Sequence, residues 1–156
     1  MSMDIFLPIL CAFLSCFCFS IIYNIRGGGI LICAFGGALG WSVYLLTASI
    51  FQDDIAQTFA AALVISAYAE VMARIRKCPV TGYLLVAIFP LVPGGGIYYT
   101  MEHAINGEVY AFLASFLHTL GLAGAIAVGV LLVSSALRMW TTFRRQDLIP
   151  RKEKRP

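Results

Sequence analysis

Charge is scarce in this chain. Of 156 residues, 11 are Lys or Arg and 8 are Asp or Glu, so 12% are charged, against about 25% in an ordinary soluble domain. Hydrophobic residues make up 60% and the mean hydropathy is +0.87. A soluble fold of this size has to cover its surface with polar side chains, so a soluble domain is excluded and a bilayer must act as the solvent. Long polar segments are missing as well. The longest runs from Thr141 to Pro156, which divides the chain into one transmembrane helical domain over 1–140 and a basic cytoplasmic tail over 141–156.

Signatures of chemistry are equally sparse. No His-Glu-x-x-His pair, no nucleophile elbow and no Gly-x-x-x-x-Gly-Lys phosphate loop occurs, so hydrolysis within the membrane and nucleotide binding have no support and no enzyme is expected. The five cysteines (Cys11, Cys16, Cys18, Cys33, Cys78) are odd in number and four lie inside apolar runs. They imply neither a disulfide framework nor a zinc site, and no metal or other cofactor is expected. The net charge of +3 comes from basic residues scattered over several junctions without interleaved aromatics; nucleic acid is excluded as a partner, and these residues read as topology signals.

What is present is a series of apolar runs. A helix needs roughly 20 apolar residues to cross about 30 Å of hydrocarbon, and five runs qualify: Ile5–Tyr23, Ile30–Ile50, Ile55–Ala73, Gly82–Ile105 and Ala111–Leu137. Lipid forces each span to satisfy its own backbone, so the expected fold is an all-α integral membrane protein of five helices. The first run follows Met1-Ser2-Met3-Asp4, without positive charge, and no small-residue cleavage site comes after it; it reads as a retained helix. Arg26, the group Arg74, Arg76 and Lys77, and the seven basic residues from Arg138 onward fall on one side of such a topology. Asp4, Asp53, Asp54, Glu102 and Glu108 fall on the other. Basic loops stay in the cytoplasm, which puts the N-terminus outside and the C-terminus inside the cytoplasmic membrane. Tyr23, Tyr83, Tyr110 and Trp140 sit near the expected interfaces, where amphipathic rings prefer to lie.

The fourth span is interrupted. Pro90, Pro93, Gly94, Gly95 and Gly96 put five helix breakers into seven residues, more than a continuous helix tolerates. Counted from Gly82 at a 1.5 Å rise, Pro90 lies about 12 Å and Gly95 about 20 Å into the membrane, so the break is expected near the midplane with a second half-helix starting near Ile97. Broken backbone survives in lipid only where protein buries it or where it lines a cavity. A half-helix N-terminus at that depth offers free N–H groups to an anionic group of a solute. A packing kink or a tight corner is the alternative.

The stretch Ala69-Glu70 … Arg74 … Pro79 … Phe89-Pro90-Leu91-Val92-Pro93-Gly94 … Tyr98 resembles the Ala-Glu … Arg … Pro … Pro-Leu-hydrophobic-Pro-Gly … Tyr pattern of the threonine/serine exporter family, and in particular the small membrane subunit of its split, two-component form. The resemblance implies export of threonine and serine, or of dicarboxylates such as succinate as in a split relative, together with a larger partner subunit. It places Pro90, Pro93, Gly94, Gly95, Gly96 and Tyr98 on the substrate path. Gly96 departs from the pattern, where a small hydroxyl or polar residue is common.

Glu70 is an acid inside an otherwise apolar span and such residues are functional hypotheses by default. It also lies one turn from Arg74, so an i,i+4 ion pair competes with a coupling or gating role. His118 is expected either as a buried histidine satisfied by a neighbouring helix or as a protonatable pathway residue. Gly36, Gly37 and Gly40 in span two and Gly121, Gly124, Ala125 and Gly129 in span five present small residues at helical spacing, which reads as helix packing. Trp41, Tyr44 and Tyr68 carry polar tips deep inside spans, so they should face protein or a pathway. Five spans are few for a transporter built from paired repeats. A larger partner or a homo-oligomer is expected to complete the pathway, and a subunit that merely stabilises a transporting partner is the competing reading.

Overall fold

The computed structural model describes residues 2–50 and 52–147, with side chains over 5–50 and 52–139. The readings placed on Asp4, on Trp140 and on the tail residues Arg144, Arg145, Arg151, Lys152, Lys154 and Arg155 lie outside the described side chains. Among the described residues the elements are all helical: α1 (Ser2–Ile22), α2 (Gly29–Ala48), α3 (Asp54–Arg76), α4 (Val80–Ile88), a 3-10 turn (Phe89–Leu91), α5 (Gly94–Ile105) and α6 (Val109–Asp147). Helices α1, α2, α3 and α6 are each long and apolar enough to cross a membrane, and α4 with α5 forms a fifth candidate bent by 56° at the break.

The helix ends have local chemical causes. α3 begins where the Asp53 carboxylate accepts the Ile55 N–H at 3.2 Å, with Asp54 beside the positive end of the helix. It ends at Lys77, whose left-handed backbone (φ 54°) turns its N–H onto the Arg74 carbonyl, while Cys78 N–H reaches Ala73; Pro79 then cannot extend the helix. Gly107, at φ 74°, makes the short turn between α5 and α6. α6 continues past the expected limit of Leu137 to Asp147.

Packing of α1 to α4 runs on small residues. A side chain at Gly37 would run into Cys16 of α1, and one at Gly40 would run into Ile65 of α3. One at Gly36 would sit 3.0 Å from both Ala87 of α4 and Tyr68 of α3. Cys16, Cys33, Ala69, Ala73, Tyr83 and Val86 form one buried cluster; Ala61, Ile65, Ala87 and Leu91 form a second that holds the 3-10 turn. Removing the side chain from glycine lets helix axes approach, so dispersion contacts replace the missing hydrophobic drive in lipid.

The register of α6 against α3 fixes the path of the chain. Gly121 meets Ile55, Gly129 meets Ala62 and Phe59, and an Arg74 guanidinium nitrogen donates to the Leu137 carbonyl at 3.3 Å. Residue numbers rise together along the pair, so the helices are parallel. The segment from α4 to α5 therefore returns the chain from the end of α3 to the level where α3 starts, as a broken span does and a re-entrant hairpin does not. Charge sorts along the same axis. Arg76 lies against Gly28 in the turn that carries Arg26, and Arg74 reaches α6 at that same end. Asp53 and Asp54 mark the opposite end, beyond which Glu102 and Glu108 sit on the α5–α6 hairpin.

Candidate functional site

The break is narrower than the run of prolines and glycines suggests. Val92 and Pro93 alone lie outside helical turns, and α5 starts at Gly94, three residues before the expected Ile97. Proline explains both sides. Pro90 has no N–H to give the Val86 carbonyl, which accepts instead from the Phe89 N–H and, at 3.2 Å, from the Cys16 thiol. Pro93 caps α5, in whose first turn the missing donors of a helix start cost nothing. Val92 N–H closes on Phe89 at 3.2 Å, Gly94 N–H on Val92 at 2.7 Å and Ile97 N–H on Pro93 at 3.1 Å. The N–H groups of Gly95 and Gly96 find no acceptor among the described residues.

The three glycines differ. A side chain at Gly94 or Gly95 would meet nothing within 4 Å, whereas one at Gly96 would come 2.5 Å from the Thr119 hydroxyl. Gly96 is thus where α5 crosses α6 closely. Its level corrects the expected depth: Leu91 is level with the centre of α3 beside Ile65, but Gly96, next to Thr119, is level with the start of α3 near Ile55. Val92 is extended, and Pro93 centres a tight turn that the Gly94 N–H closes on the Val92 carbonyl, so the chain does not follow a straight 1.5 Å-per-residue count here.

Three concavities flank the break, and the expected path residues are spread over them. Pro90 lines a cleft of about 340 Å³ with Pro8, Cys11, Ala12, Ser15 and Trp41. Pro93 lines a groove of about 470 Å³ between α5 and α6 with Val92, Ile97, Phe116, Thr119 and Leu120. That groove is apolar in character, because the Thr100 and Thr119 hydroxyls donate to the Gly96 and Ser115 carbonyls at 2.7 Å. Tyr98 lies in neither: it borders a shallow hollow of about 270 Å³ with Met101, Glu102, Ile105 and Asn106, its ring edge-on to Tyr99 at 5.5 Å.

Glu70 is buried, 9% exposed, on the face of α3 near the basic end. Arg74 sits 3.5 Å from it and also donates to Leu137, so one guanidinium joins α3 to α6. His118 does not take the expected buried position. It is exposed on α6, near the acidic end, because Gly121 already meets Ile55 in the first turn of α3, so residue 118, on the same face but nearly a turn earlier, lies beyond the start of α3. Nineteen residues of helix separate His118 from Leu137, about 28 Å at 1.5 Å per residue, so Glu70 and His118 do not share a site. At the α5–α6 turn His103 Nδ1 lies 2.7 Å from a Glu108 carboxylate oxygen.

Of the packing glycines, Gly36, Gly40, Gly121 and Gly129 lie against neighbouring helices. Gly124 does not: a side chain there would meet nothing within 4 Å, since it falls off the four-residue seam. Tyr68 donates its hydroxyl to the Ile32 carbonyl at 3.0 Å. Trp41 stacks on Tyr44 with ring centroids 5.2 Å apart, and its indole N–H is buried without an acceptor among the described residues. Sequence reasoning missed the Cys16 thiol, the Thr119 contact and the Leu137 carbonyl; only a residue four places after Val86 being proline signalled the first, and the other two depend on the helix register. Residues 8–136 match the family described as threonine/serine exporter, ThrE. No curated protein and no solved structure matches the chain.

Proposed function

The chain belongs to the threonine/serine exporter family and is a multi-pass membrane protein with an export-type transport role; from that premise we propose that it is a membrane subunit moving threonine and serine out of the cell, with the broken α4–α5 span as part of the path. The observation that carries this reading is the first turn of α5. Two N–H groups there lack acceptors, and Gly94 and Gly95 leave their surroundings open. A carboxylate at a helix N-terminus is stabilised by free N–H groups and by the positive end of the helix dipole, and every candidate solute carries one. Pro90, Pro93 and Tyr98 border the hollows on either side.

The membrane orientation belongs to the same proposal. The basic end of the helix bundle faces the cytoplasm, the acidic α5–α6 hairpin faces outside, and the N-terminus lies outside with the C-terminus inside. Glu70 and Arg74, with the Leu137 carbonyl, form a cytoplasmic clasp between α3 and α6 that must yield if these helices separate during the cycle. A larger subunit of the same family completes the pathway, since five spans form only part of a repeat-built transporter.

Efflux of labelled threonine, serine and succinate from preloaded cells tests this, first with the chain alone and then with a candidate large subunit. Efflux of threonine and serine only in the pair is the expected result. Efflux of succinate alone would move the substrate to dicarboxylates. Efflux from the single chain would replace the partner by a homo-oligomer.

A further inference from the structure

Trp41 is the polar side chain beside the break whose burial has no internal explanation. Its indole can donate one hydrogen bond and accept none. The nitrogen is enclosed, and no acceptor reaches it among the described residues. Its neighbours explain why. On one side lie Ala61, Ile65, Ala87 and Leu91, all apolar at the side chain. On the other is the cleft of about 340 Å³ whose wall Trp41 shares with Pro8, Cys11, Ala12, Ser15 and Pro90. The polar groups nearby do not accept from it: the Ser15 hydroxyl donates to Ala12 at 3.0 Å, and the Val86 carbonyl accepts from the Phe89 N–H and the Cys16 thiol. Buried donors are nearly always paired in folded proteins, and lipid supplies no water to repair an omission.

We infer that Trp41 is a specificity-determining residue of the transport site: when the wall beside Pro90 opens, its indole N–H donates to an acceptor oxygen of the passing solute. This rests on the export reading above. Three features fit the assignment. The cleft lies within the range of about 300–1,000 Å³ found for small-molecule sites. Trp41 packs on the cluster that holds Leu91, so a change at the break reaches it directly. The stack on Tyr44 fixes the ring, so a donated bond comes with defined direction. The solute class is one bearing a carboxylate or hydroxyl oxygen, which amino acids and dicarboxylates share, while a purely cationic or apolar solute offers this donor no acceptor.

Phenylalanine keeps a stacking ring and removes the N–H, which separates the two roles open to Trp41. In the exporting assembly, Trp41→Phe is expected to raise the KM for L-threonine on the order of tenfold, the worth of one hydrogen bond to a charged group, with little change in maximal rate. Thermal stability of the solute-free protein should hold or rise, because the unpaired donor is gone. A parallel fall in stability and transport would assign Trp41 to packing, and an unchanged KM would overturn the inference while leaving the export reading intact. Absence of transport by the unsubstituted assembly would instead sink that reading.

A second measurement avoids altering Trp41 at all. The chain has two tryptophans, so Trp140→Phe leaves Trp41 as its sole indole. Purified with the partner the exporting assembly uses, itself made tryptophan-free, this protein should show a saturable change in emission on titration with L-threonine, L-serine or succinate, whichever the assembly exports. No change at saturating solute would contradict the assignment.

Discussion

Glycine serves opposite ends in the two halves of this protein. In the bundle of α1 to α4, Gly36, Gly37 and Gly40 are pressed against Ala87, Cys16 and Ile65, and the alanines around them are fully buried. In the hairpin of α5 and the first half of α6, Gly96 and Gly121 still make close approaches, to Thr119 and Ile55, but a side chain at Gly94, Gly95 or Gly124 would meet nothing within 4 Å, and Ile97, Tyr98, Tyr99, Met101, Ile105 and Tyr110 are exposed. The first set brings helices together, and the second leaves open space beside them. The bundle is thus a scaffold with little room for change, and the hairpin is a surface whose covering must come from lipid, a partner or a solute.

The comparison breaks most visibly if a packed glycine tolerates bulk. Gly40→Leu should largely abolish folded, membrane-inserted protein, since the new side chain occupies the place of Ile65 and overpacking costs about 1–3 kcal/mol or more; fluorescence-detected size-exclusion of the detergent extract reads the yield. Arg74→Ala should act at an intermediate level. Glu70 is buried and its partner only partly exposed, so removing the guanidinium leaves a buried carboxylate unpaired; a fall of several degrees in melting temperature is expected, together with looser basic ends of α3 and α6 in cysteine cross-linking. Gly124→Leu should leave the melting temperature of the isolated chain within a degree or two, and a selective loss of co-purifying large subunit would show that the partner covers this face. The smallest effect belongs to His118→Ala: an exposed side chain beyond the start of α3 should change stability by less than about 0.5 kcal/mol and leave efflux at the unsubstituted rate.

The parts legible in the sequence are those set by composition and charge. Apolar length gave the first four spans to within a few residues but not the ten residues by which α6 runs past Leu137; the sorting of Arg and Asp gave their ends, and Pro90 and Pro93 marked the bend. The parts that were not legible depend on how helices are turned against each other. Gly121, Gly124 and Gly129 look equivalent in a string of letters, yet only residues 121, 125 and 129 share the four-residue seam that faces α3. His118 is exposed for another reason: it lies beyond the first turn of α3, which Gly121 already meets at Ile55. The restart of α5 at Gly94 was hidden for a different reason: glycine is a poor helix former in general, but here Pro93 as cap and the close approach at Thr119 decide the matter. The unpaired Trp41 was anticipated only as a polar tip needing company; that it lacks an acceptor is a property of the packed arrangement.

The central claim is that the broken span carries solute, and the open glycines make it directly testable. Gly94→Leu combined with Gly95→Leu adds bulk where nothing stands within 4 Å and improves helix propensity by up to about 1 kcal/mol at each position, so insertion and melting temperature should be preserved. Labelled threonine efflux from preloaded cells, normalised to the amount of inserted protein, should then fall to the level of cells lacking the exporter. Efflux at the unsubstituted rate, from protein inserted in equal amount, would contradict the account.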